Sequence, residues 1–258
     1  MATDPYAAPR APVADAPGAQ LEGEFVPEGQ AQPAGNGWSW ITGGWSLFKQ
    51  NPGIWILIVV IFFVLGILIQ IIPVVGPIAM TLLGPVFVGG LMIGCRALEQ
   101  NEPLEVGHLF AGFRENAGKL VLIGVFSLVA FVIVLAVIFV MVGGSVFAIA
   151  AAGGEPGGGS VLTMLLAVLI GLALALPIYM AMWFAPALVT LQEMDVVAAL
   201  KASFFACLKN IVTFIVYGVI MVVLAIVASI PFGLGWLVLA PVLIGSVYAA
   251  YRDIFFLR

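Results

Sequence analysis

The amino-acid sequence predicts an all-α membrane protein: six transmembrane helices form three repeated hairpins, each preceded by a cytoplasmic interfacial amphipathic helix. The prediction rests on the composition, the number of long apolar stretches and the distribution of Lys and Arg. Of the 258 residues, 63% are apolar and 9% are charged, and the mean hydropathy is +1.21. A water-soluble domain carries charge at about a quarter of its positions, so a soluble globular protein is excluded.

Residues 1–36 form a predicted N-terminal tail that is acidic and rich in Ala and Pro. The tail holds five acidic residues against Arg10, whereas the remainder of the chain is neutral. Because the tail has no apolar periodicity, it buries too little surface to offset its ordering entropy, and we expect it to be disordered. It also lacks the basic start and the apolar run of a secretory signal peptide. Residues 37–258 form the predicted six-span transmembrane domain.

Six apolar stretches are long enough to cross roughly 30 Å of hydrocarbon at about 1.5 Å per residue. They run from Ile54 to Ile72, Pro77 to Cys95, Leu120 to Ala151, Val161 to Leu191, Ile211 to Ile230 and Gly235 to Tyr251. The third and fourth are longer than a perpendicular crossing requires. We expect these two spans to tilt or to protrude from the membrane.

The basic residues lie on one side of this arrangement. Outside the tail they are Lys49, Arg96, Arg114, Lys119, Lys201, Lys209, Arg252 and Arg258, all at the same ends of the spans. The opposite loops, at 73–76, 152–160 and 231–234, contain no Lys or Arg. Cytoplasmic loops of membrane proteins are enriched in these residues, so both termini are predicted to be cytoplasmic.

An internal repeat divides the chain into three units. A short motif precedes each odd-numbered span: an aromatic residue or Leu, then a basic residue, then an Asn. The motif occurs at Phe48 to Asn51, Phe113 to Asn116 and Leu208 to Asn210. In the second and sixth spans a Pro is followed by Gly after four residues and by Arg after eleven: Pro85, Gly89 and Arg96, then Pro241, Gly245 and Arg252. In the more divergent middle unit Pro186 takes the place of the Pro, and Val197 stands where the Arg would be.

A predicted amphipathic helix precedes each hairpin. Apolar residues recur at helical spacing in three sets: Trp38, Ile41, Trp45 and Phe48; Val106, Leu109, Phe110 and Phe113; Val197, Leu200, Phe204 and Leu208. Trp and basic side chains suit the headgroup level of a bilayer. The candidate lipid-interface residues are therefore Trp38, Trp40, Trp45, Lys49, Arg96, Arg114, Lys209 and Arg252. Alternatively, these helices only cap the ends of the bundle, and Arg96 and Arg252 pair with Glu99 and Asp253.

Asp, Glu, Lys, Arg and His are absent from Ile54 to Cys95 and from Ile211 to Tyr251. Ion-coupled transport and intramembrane hydrolysis usually need such groups in the membrane core. Prolines in the even-numbered spans remove amide donors, which makes Pro85, Pro177, Pro186 and Pro241 candidate helix breaks. Simple kinks that let the hairpins pack are the alternative explanation.

The residues available for catalysis are few, and we expect no enzyme activity, no cofactor and no metal site. His108 is the only His, and a metal site would need two or three further ligands. The Gly-rich run at 153–159 is not followed by Lys, so it does not have the form of a phosphate-binding loop. Cys95 and Cys207 are predicted to be reduced thiols. A basic patch for nucleic acid is also missing, so no nucleic-acid partner is expected.

Three short runs of sequence carry a family resemblance. The run from Gly37 to Ile41, the run from Gly44 to Pro52, and Leu109 to Phe113 resemble an uncharacterised family of proteobacterial inner-membrane proteins. The resemblance covers roughly Trp38 to the C-terminus and implies a location in the bacterial cytoplasmic membrane. More distantly, the chain is similar to the six-helix membrane domain of some glycerophosphodiester phosphodiesterases, which suggests a lipid-related context. The catalytic His and acidic metal ligands of those enzymes have no counterpart here.

Two functions of different class remain open from the sequence. The first is a non-catalytic membrane module that organises lipid or a partner protein, suggested by the three interfacial helices. The second is a permease or flippase-like transporter of a weakly polar or lipidic solute, suggested by the repeated Pro and Gly residues. The sequence leaves the ligand and the oligomeric state open.

Overall fold

The computed structural model describes residues 23–151 and 158–257, which fold almost entirely into helices. The α-helices are α1 (Asn36–Gln50), α2 (Pro52–Gln70), α3 (Val75–Glu99), α4 (Ala117–Ala151), α5 (Gly158–Trp183), α6 (Ala185–Leu191), α7 (Val196–Lys209), α8 (Ile211–Ser229) and α9 (Trp236–Phe255). A 3-10 helix, Val106–Phe113, lies between α3 and α4. The all-α prediction is confirmed for this part of the chain.

Six segments are long and apolar enough to cross a membrane, as predicted. They are α2, α3, α4, the α5–α6 segment, α8 and α9. At 35 residues, α4 is about 50 Å long and exceeds the roughly 30 Å of a hydrocarbon core. It therefore has the extra length that a tilted or protruding span needs.

The spans form an inner and an outer set. Of the described spans, α3 and α9 are the most buried, and every residue of α6 is buried. In contrast, α2, α4 and α8 expose most of their apolar side chains. The inner set consists of α3, α6 and α9, whereas α5 exposes most of its described apolar side chains and belongs with α2, α4 and α8. An outer surface this apolar is stable against lipid but not against water.

The two spans of a predicted hairpin do not pack equally closely in all three cases. Helices α4 and α5 pack along each other, whereas α2 and α3 touch near their connecting turn, where Gly76 lies against Ile69. Helices α8 and α9 also meet near their turn, where Gly235 lies against Ala228. Both pairs also meet farther from the turn: the rings of Phe62 and Phe87 join α2 to α3 at 5.3 Å, and the hydroxyls of Tyr217 and Ser246 join α8 to α9 at 2.6 Å.

Three of the four prolines proposed as helix breaks lie inside continuous helices. Pro85 is within α3, Pro177 within α5 and Pro241 within α9. The prediction of breaks is wrong there, because a single missing amide donor is tolerated when the surrounding helix packs well. The chain does break immediately before Pro186, where Phe184 separates α5 from α6.

Helix α7 contacts the spans mainly through small residues rather than through its predicted apolar stripe, whereas in α1 the stripe residues Ile41 and Phe48 are buried as predicted. In α7 the buried positions are Ala199, Ser203, Ala206 and Cys207. Val197 and Leu208 of the predicted stripe are instead 57% and 48% exposed. Small residues let helix backbones approach closely, while lipid can cover the larger apolar side chains.

The 3-10 helix also departs from its predicted apolar face. Leu109 and Gly112 are its buried residues, whereas Phe110 and Phe113 are partly exposed and pack edge-on against Phe87. Residues three apart are eclipsed in a 3-10 helix, so Leu109 and Gly112 share one face. The sequence stripe assumed an α-helical period, and this assumption is wrong here.

Each short helix packs on one span through the same kind of close contact with the span backbone. Helix α1 lies on α9, the 3-10 helix on α3, and α7 on α5. A small residue contacts a span carbonyl and the amide four residues later: Gly44 with Val242 and Ser246, Gly112 with Val86 and Gly90, and Ser203 with Met180 and Phe184. In this contact Met180 takes the position of Val86, whereas the predicted repeat, with Pro186 in the place of Pro85, would put Ala187 there. Met180 and Ala187 are seven residues apart, which is almost two helical turns, so both lie on the same face of a helix. Helical periodicity alone therefore does not distinguish them.

Residues 23–35, which we call the N-terminal strap, are ordered, although the sequence assigns them to a disordered tail. Their backbone pairs with the end of α9, through Val26 to Phe255 at 2.8 Å and Gln30 to Ile254 at 2.8 Å. An isolated β-bridge joins Phe25 to Phe256. The prediction is wrong for this segment because polar hydrogen bonds, rather than an apolar stripe, hold it. Residues 1–22 lie outside the described residues.

Candidate functional site

The candidate site lies at the basic end of the spans, the end where the candidate Lys and Arg residues are found. Helix α1 begins after the strap and crosses α8 and α9 there. Gly37 approaches the backbone of Thr213 and Tyr217 in α8, and Gly44 approaches Val242 in α9. The absence of side chains at Gly37 and Gly44 lets α1 lie directly on both spans.

Trp40 is part of the core rather than of the lipid-facing surface. It is 1% exposed, and its ring packs against Phe214 and Tyr217 at centroid distances of 5.2 and 5.9 Å. The indole nitrogen donates a 2.9 Å hydrogen bond to the Asp253 carboxylate. The prediction that Trp40 faces lipid is therefore wrong: a buried acceptor holds its indole N–H inside the bundle.

Trp38 and Trp45 point outward from the opposite face of α1. They are 55% and 44% exposed, and both line an apolar cleft of about 490 Å³ that is bounded by α1, α8 and α9. Leu224 of α8 and Val238 of α9 contribute to its walls. The cleft extends along α8 and α9 as far as their turn, where Pro231 and Gly235 line it. It places two exposed indole rings next to a groove of aliphatic side chains.

The basic residues predicted to lie at the lipid interface have different surroundings. Lys49 and Arg114 are exposed, and Arg96 is partly buried on α3. Lys209 donates hydrogen bonds from its ammonium group to the backbone oxygens of Glu28 and Gly29, at 2.9 and 3.1 Å. Its charge therefore fixes the N-terminal strap instead of pointing toward lipid.

Arg252 forms a cross-helix ion pair with Glu99. The guanidinium Nε lies 3.0 Å from a carboxylate oxygen of Glu99, and the Tyr248 hydroxyl donates a hydrogen bond to the same carboxylate. The guanidinium also stacks over the Phe256 ring at 4.3 Å. Of the pairings open from the sequence, the structure joins Arg252 to Glu99 and thereby links α9 to α3.

Asp253 organises the other side of this helix end. Its carboxylate accepts hydrogen bonds from the Asn36 amide at 2.7 Å and from the Trp40 indole at 2.9 Å. Nearby, the Gln192 amide donates to the Tyr251 hydroxyl at 2.9 Å. These bonds connect α1, α9 and the chain after α6 at the basic end.

Cys207 is a buried thiol beside a second apolar cleft of about 500 Å³, which Trp183 and Phe214 also line. Burial raises the pKa of Cys207 to about 12, and the Ser203 hydrogen bond lowers it by a smaller amount. The thiol is therefore protonated at neutral pH and has little nucleophilic character. Within residues 23–151 and 158–257, no three His, Cys, Asp or Glu side chains are placed to hold a metal ion.

The chain is similar to a known bacterial protein. The chain is 30% identical over 215 residues to a protein of Burkholderia thailandensis described as a probable inner membrane protein. The match covers 80% of this chain and 79% of the relative. The chain belongs to this inner-membrane protein family. No family model and no solved structure matches the chain.

Sequence reasoning located the helices of this inner-membrane protein that form the basic end but missed most of the contacts there. The Glu99–Tyr248 bond and the position of Trp40 in the core were not predicted. The register of α1 on α9 decides which Trp side chains of α1 are exposed. That register depends on the contact of Gly44 with Val242. Gly44 was the available signal, since small residues in a membrane helix let helix backbones approach closely.

Proposed function

We propose that this inner-membrane protein is a non-catalytic module that organises membrane lipid at the basic end of its spans. The outward pair Trp38 and Trp45, placed over an apolar cleft, is the observation that carries the proposal. An indole ring is favourable where hydrocarbon meets headgroups, because its body is apolar and its N–H is polar. The groove below the rings is apolar enough to accept a lipid acyl chain.

The charges around the cleft support this proposal. Lys49, in the last turn of α1, is exposed, and an exposed cation at the membrane surface attracts anionic lipid by about 1 kcal/mol. On this proposal the basic end is cytoplasmic and the three units form a ring of lipid-facing helices. The distant resemblance to the membrane domain of glycerophosphodiester phosphodiesterases, which is proposed from the sequence alone, would agree with a lipid-related role. Alternatively, the same surface binds a partner protein, and the module organises that protein instead of lipid.

Lipid analysis of the protein in polymer discs would test the proposal. The full chain is extracted with its native lipids, and mass spectrometry quantifies the lipids that co-purify, relative to an unrelated six-span protein. A Trp38→Ala/Trp45→Ala variant is compared with Phe131→Ala, which removes an exposed aromatic ring of α4 outside the cleft. We expect lipid enrichment in the wild type that the double variant loses and the control keeps. Equal lipid content in all samples would contradict the proposal.

A second candidate function, a permease or flippase-like transporter, rests on the chain break between α5 and α6. Ser203 bridges this break, with its hydroxyl 2.7 Å from the Met180 oxygen and 2.9 Å from the Phe184 nitrogen. A break held by one side chain is a place where a span can bend during a transport cycle. Lipid scrambling by reconstituted protein is the relevant assay. A flux that Ser203→Ala changes and Thr81→Ala does not would favour the transporter.

A further inference from the structure

A polar pocket of about 390 Å³ lies between α1, the end of α3 and the last turns of α9. Its polar lining comes from Ser39, Ser46, Gln50, Glu99, Asn101 and Arg252. The pocket is separate from the apolar cleft under Trp38 and Trp45 and lies on another face of α1. It is of the size that small ligands occupy in proteins.

Residues of α1 supply one wall of hydrogen-bonding groups. Ser39, Ser46 and Gln50 recur at intervals of seven and four residues, which places them along one helix face. All three are exposed. Two hydroxyls and a carboxamide along this wall can donate hydrogen bonds to phosphate oxygens.

The opposite wall holds one charge of each sign. Arg252 presents a guanidinium group, the side chain best suited to a phosphate, and Glu99 presents a carboxylate 3.0 Å away. An anionic ligand without an amine is disfavoured by the carboxylate, and a simple cation is disfavoured by the guanidinium. A ligand with a phosphate and an ammonium group a few ångströms apart meets both charges favourably.

We infer that this pocket binds a phosphoethanolamine group, with the phosphate toward Arg252 and the α1 hydroxyls and the ammonium toward Glu99. The pocket lies where α3 and α9 end, which is the level of the headgroups if these helices span the bilayer. A phosphatidylethanolamine molecule is therefore the fitting source. This inference rests on the proposed lipid-organising function and names the lipid class.

Native mass spectrometry of the full chain in detergent tests the inference, with phosphatidylethanolamine and phosphatidylglycerol supplied in equal amounts. We expect the wild type to prefer phosphatidylethanolamine. Removing two hydroxyl donors in Ser39→Ala/Ser46→Ala should weaken that binding by roughly tenfold, since each hydrogen bond contributes modestly. Thr81→Ala is the control, because it removes a hydroxyl that bonds to the Pro77 carbonyl of its own helix and lies outside both the pocket and the apolar cleft.

Glu99→Gln distinguishes ligand recognition from a structural role. Loss of the carboxylate should shift the preference toward phosphatidylglycerol, whereas mere loss of folding would reduce binding of both lipids. If Glu99→Gln does not fold, the Ser39→Ala/Ser46→Ala variant still tests whether the pocket binds the headgroup. A wild type that binds both lipids equally, or a double variant that binds like wild type, would overturn the inference.

The remaining outcomes separate this inference from the proposed function. Lipid retention that depends on Trp38 and Trp45 but shows no headgroup preference would overturn the pocket assignment alone. No lipid enrichment in discs would overturn both. Soluble glycerophosphoethanolamine, titrated with the same variants, tests the source of the group: tighter binding than the lipid would support the phosphoethanolamine chemistry and assign it to a soluble ligand.

Discussion

Ser203 donates a hydrogen bond from its hydroxyl to the carbonyl oxygen of Met180, at 2.7 Å. The same hydroxyl accepts from the amide of Phe184, so it stands between two groups that would bond directly in a regular α-helix. Insertion of a side chain into this ladder separates α5 from α6. At the equivalent contacts of α1 and the 3-10 helix, a glycine takes the place of Ser203 and the span remains continuous.

Ser203→Ala should destabilise the protein by about 1–3 kcal/mol. The substitution leaves the Phe184 amide without its partner in a buried place, while the Met180 carbonyl keeps only the weak Cys207 thiol donor at 3.5 Å. An unsatisfied buried group has a cost of this size. Thermal unfolding in detergent measures the effect. Thr81→Ala is the control, since that exposed hydroxyl only bonds to the carbonyl of its own helix at Pro77. An unchanged midpoint for Ser203→Ala would mean that the bridge contributes nothing.

Gly44→Ala should also destabilise, by about 1–3 kcal/mol, because the added methyl group has no space. Its Cβ would overlap the Val242 carbonyl oxygen and would lie 2.6 Å from the Ser246 nitrogen, both backbone atoms of α9. Gly118→Ala in α4 is the matched control, since a Cβ there meets open space. The control should be neutral or slightly stabilising, because Ala favours helix. Equal unfolding temperatures for the two variants would refute the close approach.

The sequence predicted the number of spans because a bilayer requires long apolar stretches, and these can be counted directly. It did not predict which face of α7 packs, because hydrophobic periodicity assumes that apolar faces turn inward. In a membrane the outer surface is apolar as well, so Val197 and Leu208 face outward while Ser203 packs inside. The order of the strap was missed for a related reason: hydrogen bonds to Asn210 leave no periodic signal.

Asn210→Ala should release the N-terminal strap. The buried Asn210 amide accepts from the Gln32 backbone at 2.7 Å and donates to the Gln30 oxygen at 2.8 Å, which ties the strap to the start of α8. Loss of both bonds should make residues 23–35 open to a non-specific protease under native conditions. The site of cleavage can be mapped by mass spectrometry. Lys201→Ala, an exposed change on α7, should leave the strap protected, and equal cleavage in both variants would contradict the assignment.

Cys207 should be unreactive in the folded protein. Burial raises its pKa from 9.0 to about 12, so the thiolate is scarce at pH 8. In a Cys95→Ala background, maleimide labelling of Cys207 should be at least about tenfold slower in the native protein than in denaturant. Complete labelling of the native protein at the denatured rate would contradict the buried environment.

The same pKa shift predicts how stability depends on pH. Below about pH 9 the thiol is protonated in both states, so its contribution to folding is constant. Between about pH 9 and 12 the unfolded chain releases the proton while the folded chain keeps it, and the free energy of unfolding should fall as pH rises. Denaturant titrations across this range measure the slope. Cys207→Ala should remove this part of the slope, and an identical slope in that variant would exclude Cys207 as its source.

The orientation of the spans is predicted by the basic residues and can be measured by labelling. In a background with Cys95→Ala and Cys207→Ala, single cysteines are introduced as Asn101→Cys, at the basic end, and as Phe232→Cys, in the fully exposed turn between α8 and α9. Positively charged loops are retained in the cytoplasm, so a membrane-impermeant maleimide should label the Phe232→Cys protein in intact spheroplasts. The Asn101→Cys protein should react only after lysis. The reverse pattern would place the Trp38–Trp45 surface and the Glu99–Arg252 pocket on the periplasmic side, and it would exclude cytoplasmic lipid as their ligand.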